Sequence, residues 1–498
     1  MTAYKTLTEA AAALRSGQVT SVELVQQAID IADDQDAELG IFLKRFNQTA
    51  LDQAAAADAR WAAGDQVGAL HGIPIGIKDI ISTSEAPSTA QSLVLDQAWS
   101  DGDAVVVQRL RAAGAIIVGK LTTMEYAIGS PDPAKPFPIP RNPWDPDRWT
   151  GGSSSGSGSS VSTGAVLGAL GTDTGGSIRI PAAFCGITGL MPTFGRVPKS
   201  GCVPLGYSLD HIGPMARSAR DCAVMLEVLA GHHPSDPNVA TDPVDDYLTG
   251  LTGDLTGIRI GADRLDRIGG AHEDPALAAV WTDALAALRD RGAEVVDIEL
   301  PYYREMAAAD MVIMLSEALA YHLPDFQTRW EDYFEATRMT VGAGMFYTAA
   351  DYVQAQRARR VGVKAVTATL RDVDLIITPT AAGGATPLSE TGAIGKDLTE
   401  GDGGGIYTGY WDSTGNPVLS LPMGFTDDGL PLGLQIAGRP FEEALVLKAG
   451  DAFQQQTDHH LRLPDRVRSF FSTPQVDPVL SRPAGRPRVG TAVAAGRR

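Results

Sequence analysis

Two clusters of glycine and serine, held apart by one short apolar segment, do most to limit what this chain can fold into. Residues 150–190 read TGGSSSGSGSSVSTGAVLGALGTDTGGSIRIPAAFCGITGL. Taken alone, GGSSSGSGSS has the composition of a flexible tether. The apolar run from Ala165 to Leu170 and the compact GTDTGGSIRIPAAFCGITGL after it are too hydrophobic to be the far side of a linker. Two hydroxyl-rich turns at the two ends of one short supersecondary unit can instead be folded onto a single spot, and that spot is the candidate reaction centre.

The same stretch contains Gly152-Ser153-Ser154-Ser155-Gly156, which matches G-x-S-x-G. A nucleophile elbow of that pattern must follow a strand. The preceding RNPWDPDRWT has no strand character, and His459 and His460 would be its only well-placed late histidines. No G-x-x-x-x-G-K-[ST] occurs, so a phosphate-cradling loop is not supported.

Upstream, HGIPIGIKD predicts a strand in which Ile73, Ile75 and Ile77 share one face while Pro74, Gly76 and Lys78 share the other. Small neighbours leave room around Lys78, although a lysine at a strand end is ordinarily solvated. Residues 1–70 predict helices: Thr20-Ser21-Val22-Glu23 is a capping box followed by an apolar stripe, and residues 50–63 repeat the idea with many alanines. DGDAVVVQRLRAAG followed by AIIVGK predicts a helix-to-strand unit, which favours a largely parallel sheet. Further strands are expected in IRIGAD, AEVVDIELP, VDLIITPT, PVLSLPMGF and LPLGLQIAG, with a helix from about Pro275 to Arg291 and another from Phe441 to about Gln455.

Composition removes several function classes. Sixty acidic against 41 basic side chains give a formal charge of −19, which repels phosphate backbones and anionic membrane surfaces. Neither nucleic acid nor membrane is therefore an expected partner. Cys185, Cys202 and Cys222 are odd in number and form no C-x-x-C, so neither a disulfide framework nor a zinc site is expected. No signal-peptide pattern follows Met1, and a cytoplasmic, soluble protein is the expectation.

GGSSSGSGSSVSTGAVLGALGTDTGGSIRIPAAFCGITGLMPT resembles the amidase signature family, the Ser-cisSer-Lys hydrolases, as do GIPIGIKD, DAVVVQRLRAAGAIIVGK and SLDHIGPMARSARD. The resemblance implies an α/β fold: a large mixed, mostly parallel central sheet covered by helices on both faces. By it, residues 1–463 form one domain, with an N-terminal helical region (1–70), a signature core (71–225) and a specificity and closing region (226–463). The Pro- and Arg-rich composition of residues 464–498 predicts a flexible tail.

Carried over by position, the resemblance makes Ser177 the nucleophile, Ser153 the bridging serine, entered through a cis peptide bond, and Lys78 the base. Main-chain N–H groups of Thr174, Gly175, Gly176 and Ser177 would form the oxyanion hole. Ala127, Gly152 and Ser154 fall where substrate is contacted. Asp173 and Arg179 read as a structural pair holding the turn. No metal or organic cofactor is implied. Many members are dimers, which leaves a homodimer open.

These residue types suit amide chemistry. A serine hydroxyl attacks only when a base takes its proton, and a lysine serves only when neutral, which its ordinary pKa of ~10.4 prevents unless burial lowers it. The expected substrate is a small amide, with esters and carbamates offering the same electrophilic carbon. The rival is the glutamine-hydrolysing component of a complex that amidates charged tRNA. Such components carry an acidic residue shortly before the PVLSLP-type strand, where this chain has Gly405. A non-catalytic binding relative would lack the lysine or a serine, and all three are present. Gln91 stands where the family usually has glycine.

Overall fold

A computed structural model describes residues 3–100, 102–269, 273–393 and 405–471. Its strands are β1 (Phe42–Arg45), β2 (Pro74–Lys78), β3 (Ile116–Leu121), β4 (Gly168–Asp173), β5 (Thr188–Met191), β6 (His211–Ala216), β7 (Arg259–Ala262), β8 (Glu294–Asp297), β9 (Leu375–Pro379), β10 (Val418–Phe425) and β11 (Pro431–Ala437). They form one sheet in the order β1-β3-β2-β4-β6-β5-β10-β11-β9-β7-β8. The α/β class is as expected, but the sheet is mixed rather than mostly parallel. Only β2 with β3 and β4, and β7 with β8 and β9, pair in parallel; the other neighbours are antiparallel. Parallel pairing needs a long crossover, and the helix-to-strand unit at residues 101–120 represents only part of the chain. β10 and β11, by contrast, close as a hairpin through Gly429 at φ 88°.

The predicted helices lie at Ser21–Leu39, Asn47–Ala63, Val105–Ala112, Leu277–Asp290 and Glu443–Gln456. Residues 1–70 also hold β1, which pairs with β3 at the sheet edge. Two long helices, Tyr303–Arg329 and Ala349–Asp372, pack together beside the short helix Gly409–Thr414. Apolar content makes the segment Tyr303–Asp332 long enough to cross a bilayer, yet 44% of its most apolar window is buried inside the protein.

The serine-rich cluster is no tether. SGSGSSVST forms the helix Ser155–Thr163, and all nine residues are buried. Such a composition has poor intrinsic helix propensity, so tertiary contacts must hold it. Its hydroxyls donate to carbonyls: Ser155 to Gly151 (2.9 Å), Ser157 to Leu170 (2.9 Å), Ser162 to Cys185 (2.8 Å) and Thr163 to Ser159 (2.8 Å). Close approach is the reason for small residues, since a Cβ on Gly156 would lie 2.4 Å from the Ile41 carbonyl oxygen. This helix packs on β2, so every residue of β2, Lys78 included, is covered on both faces.

The first eight residues assigned to the expected tail are packed on the fold. Residues 464–471 form turns that bury Val467 and Phe471, and the Ala3 N–H donates to the Phe470 carbonyl at 2.9 Å. The remainder of the expected tail, 472–498, lies outside the described residues.

Candidate active site

β2 and β4 are parallel neighbours in which Ile77 pairs with Leu170. Lys78, at the end of β2, is thereby brought beside Thr172 and the start of the serine helix. The solvated reading of Lys78 fails: its side chain is fully buried. Its Nζ lies 2.7 Å from Ser153 Oγ, 2.9 Å from Ser154 Oγ and 2.7 Å from Thr172 Oγ1. The Gly152–Ser153 peptide bond is cis. The Ser154 N–H donates to the Ser177 carbonyl at 3.2 Å, which lays the second cluster alongside the first.

A second buried lysine supplies the contrast. Lys120 sits 2.9 Å from the Asp79 carboxylate. Lys78 has only hydroxyls, and among the described residues no carboxylate reaches it. Burial therefore dominates and pulls its pKa from 10.5 down to about 7, with Cys202, Asp173 and Asp210 opposing at longer range. A neutral amine offers two N–H groups and one lone pair. Ser154 Oγ donates to the Thr172 carbonyl (3.2 Å), so toward Lys78 it accepts. That leaves the Ser153 or Thr172 hydroxyl to donate to the lone pair.

The second cluster is held by a buried ion network. Arg179 Nε meets Asp173 Oδ2 at 2.9 Å and Nη2 meets Asp173 Oδ1 at 3.1 Å, as the expected structural pair. Burial alone would raise the Asp173 pKa; the Arg179 guanidinium overrides it and holds the carboxylate low. The N–H groups of Thr174, Gly175 and Ser177 make no hydrogen bond among the described residues. Gly176 differs from expectation. At φ 130° its N–H turns inward and donates to Asp173 Oδ1 at 2.5 Å, the carboxylate that also accepts from the Ile178 N–H. Gly176 thus serves the turn rather than the row of free donors.

Across most of this architecture, residues 23–447, the chain matches the family model described as Amidase. The chain belongs to the amidase signature family. Among curated relatives, a glutamyl-tRNA(Gln) amidotransferase subunit from Chloroflexus aggregans (strain MD-66 / DSM 9485) is 38% identical over 492 residues, covering 94% of this chain and 99% of that protein. The putative amidase AmiD of Mycobacterium tuberculosis (strain ATCC 25618 / H37Rv) is 39% identical over 460 residues, covering 92% and 95%. Among solved structures, native peptide amidase from Stenotrophomonas maltophilia superposes with a TM-score of 0.80 at 30% identity, covering 91% of this chain and 97% of that one.

Within this amidase-family fold, the three residues carried over as substrate contacts separate. Ala127, at φ 64°, lines a cavity of about 230 Å³ together with Thr172, Thr174, Cys202, Asp210 and His211. Gly152 is not among its walls; a Cβ there would sit 2.5 Å from Met124 Cε. Ser154 is also absent from the lining, because its hydroxyl is spent on Lys78 and Thr172. Gln91, at φ 50°, is buried and structural: its amide donates to the Pro138 carbonyl (3.2 Å) and accepts from the Thr123 N–H (2.9 Å).

Sequence reasoning missed Thr172, the third hydroxyl on Lys78, though it lies inside the second cluster next to Asp173. It also missed the outer ligands of Arg179. Asp412, Gln435 and the Thr408 carbonyl complete the guanidinium's partners from residues more than two hundred positions downstream. Gln435 is brought back by β11, and Thr408 and Asp412 by the short helix Gly409–Thr414 packed on Tyr303–Arg329; nothing local signals either.

Proposed function

We propose that this chain hydrolyses carboxylic amides through an acyl-enzyme on Ser177, with Lys78 as base and Ser153 as proton relay, acting as a free-standing enzyme on a small amide. The observation that carries the reading is Lys78: an amine in full burial, without a carboxylate, among three hydroxyls. Holding it at about 7 instead of 10.5 corresponds to about 5 kcal/mol of lost preference for the ammonium.

Ser177 Oγ attacks the carbonyl carbon as its proton passes to Ser153 Oγ, whose own proton passes to Lys78 Nζ. The oxyanion rests on the unengaged N–H groups of Gly175 and Ser177, each donor being worth ~2.7–4 kcal/mol in such sites. On collapse the C–N bond breaks, and the leaving nitrogen recovers the proton from Lys78 through Ser153. Water, deprotonated by the same route, releases the acid. An ester or carbamate presents the same carbon to the same attack; a carbamate would leave a carbamoyl-enzyme.

A second reading, the glutamine-hydrolysing component of a tRNA-dependent amidotransferase, is favoured by the identity to the Chloroflexus amidotransferase protein along almost the whole chain. Against it stands Gly405, which offers no side chain at the position read as acidic in such components and whose carbonyl accepts the Ala382 N–H at 2.7 Å. Most of the preceding loop lies outside the described residues.

The test is the purified chain, alone, against anilides, aliphatic amides, L-glutamine, esters and aryl carbamates, with Ser177→Ala and Lys78→Ala beside it. Turnover of non-glutamine amides without a partner, abolished in both variants, is the expected result. Ammonia release from glutamine only, or only with partner proteins, selects the second reading. Full turnover by Ser177→Ala overturns both.

A further inference from the structure

Asp310, on the helix Tyr303–Arg329, is 3% exposed, and among the described residues its Oδ1 has no hydrogen-bond partner. An unpaired buried carboxyl is costly and calls for an account. Its other oxygen faces the second glycine-serine turn. A Cβ built on Gly175 would lie 3.3 Å from Asp310 Oδ2, and one built on Gly409 would lie 3.3 Å from the same atom, with Met314 Sδ 3.8 Å from the Gly175 position. Both glycines are partly exposed. The carboxyl oxygen therefore lies close against the partly exposed backbone two residues before Ser177.

Among the described residues no cationic side chain pairs with this carboxyl. A guanidinium has five N–H donors, and Arg179 directs its donors to Asp173, Asp412, Gln435 Oε1 and the Thr408 carbonyl. Arg359 donates to the Ser413 carbonyl (2.7 Å) and to Ser208. Arg179 and Arg359 act on Asp310 only at longer range, and Asp412 Oδ1 is likewise without a partner among the described residues. Burial raises the Asp310 pKa well above the usual carboxylate range, so the group is held neutral until a cation arrives to ionise it.

We propose that Asp310 binds a primary ammonium carried by the substrate, seated against Gly175 and Gly409, so that the amides this site prefers bear an amino group a few bonds from the carbonyl. The inference rests on Ser177 being the nucleophile. Asp310 touches the substrate's ammonium rather than the reacting atoms, so it sets preference among substrates.

The experiment compares isosteric pairs: 4-aminobutanoyl against pentanoyl anilide for an amino group on the acyl side, and N-(2-aminoethyl)acetamide against N-propylacetamide for one on the leaving side. In the wild type, one arm should show a higher kcat/KM for the amino member. Asp310→Asn should cut that preference ten- to a hundredfold, mostly through KM, as loss of a charged hydrogen bond of ~1.5–3 kcal/mol requires; Asp310→Glu should restore part of it. Equal preference in wild type and Asp310→Asn, or no preference in either arm, overturns the proposal. Labelling by a fluorophosphonate keeps the two readings apart. Absence of a Ser177 adduct in the wild type sinks the nucleophile, whereas an adduct with an unmoved preference sinks only Asp310. Should Asp310→Asn fail to fold, propylamine and 1-propanol are compared as inhibitors of the wild type on a neutral anilide. Stronger inhibition by the amine supports the subsite, and equal inhibition overturns it.

Discussion

Replacing Lys78 by methionine should stabilise the protein more at pH 6 than at pH 9. The side chain is fully buried, and its pKa is about 7 in the fold against 10.5 for the ordinary lysine. Because the folded value is the lower one, the unfolded chain holds the proton more tightly between the two. Below pH 7 both states are protonated and the fold bears the whole cost of a buried ammonium, about 5 kcal/mol at about 1.36 kcal/mol per pH unit. At pH 9 the folded amine is neutral, and the remaining cost is about 2 kcal/mol. It vanishes only above the unfolded value. Methionine removes this charge penalty at either pH, while the loss of partners for Ser153, Ser154 and Thr172 is the same at both. The difference between the two pH values should thus favour the variant by about 3 kcal/mol at pH 6. Urea unfolding of wild type and variant, followed by tryptophan fluorescence at both pH values, gives that double difference directly. An equal effect at the two pH values, or a larger gain at pH 9, would mean that Lys78 is charged and paired in the fold, and the proton path would have no base.

Other substitutions test the frame around the site. Lys120→Met leaves Asp79 buried beside no cation and should cost about 3–5 kcal/mol in urea unfolding, the opposite sign to Lys78→Met from the same type of change; a neutral effect would refute the contrast between the two lysines. Arg179→Met strips the partner from Asp173 and Asp412 and should cost at least as much, while lowering kcat/KM on any amide by loosening residues 174–177. Gly176→Ala forces a side chain to φ 130° and sets its Cβ 2.1 Å from Thr408 Oγ1. We expect about 1–3 kcal/mol for the backbone and a similar amount for overpacking, with loss of turnover, and wild-type stability in this variant would show the turn to be other than described.

Much of the site was legible because its chemistry is carried by short motifs: the lysine after an alternating isoleucine strand, and two hydroxyl-rich turns joined by an apolar segment. The burial of Lys78 was not, because its cover is a helix of serine and glycine whose composition argues for a solvated linker, and only tertiary contact reverses that. The direction of the Gly176 N–H depends on one backbone angle and on a carboxylate three residues earlier, neither of which a residue type reveals. Asp310 and Asp412 reach the second turn from distant helices, and Gln435 from β11, through tertiary packing with no local signature. The mostly parallel sheet was an extrapolation from one helix-to-strand unit. Among the antiparallel pairs only β5 with β6 and β10 with β11 follow one another in the chain; the others join strands further apart in sequence.

The central claim, that an uncharged Lys78 drives Ser177, is tested most directly by the pH dependence of kcat/KM on the best amide found, which reports groups in the free enzyme. The expected profile rises tenfold per pH unit on the acid side and levels off around a single ionisation at about 7. A profile flat down to pH 5, or one still rising toward pH 10, would contradict it.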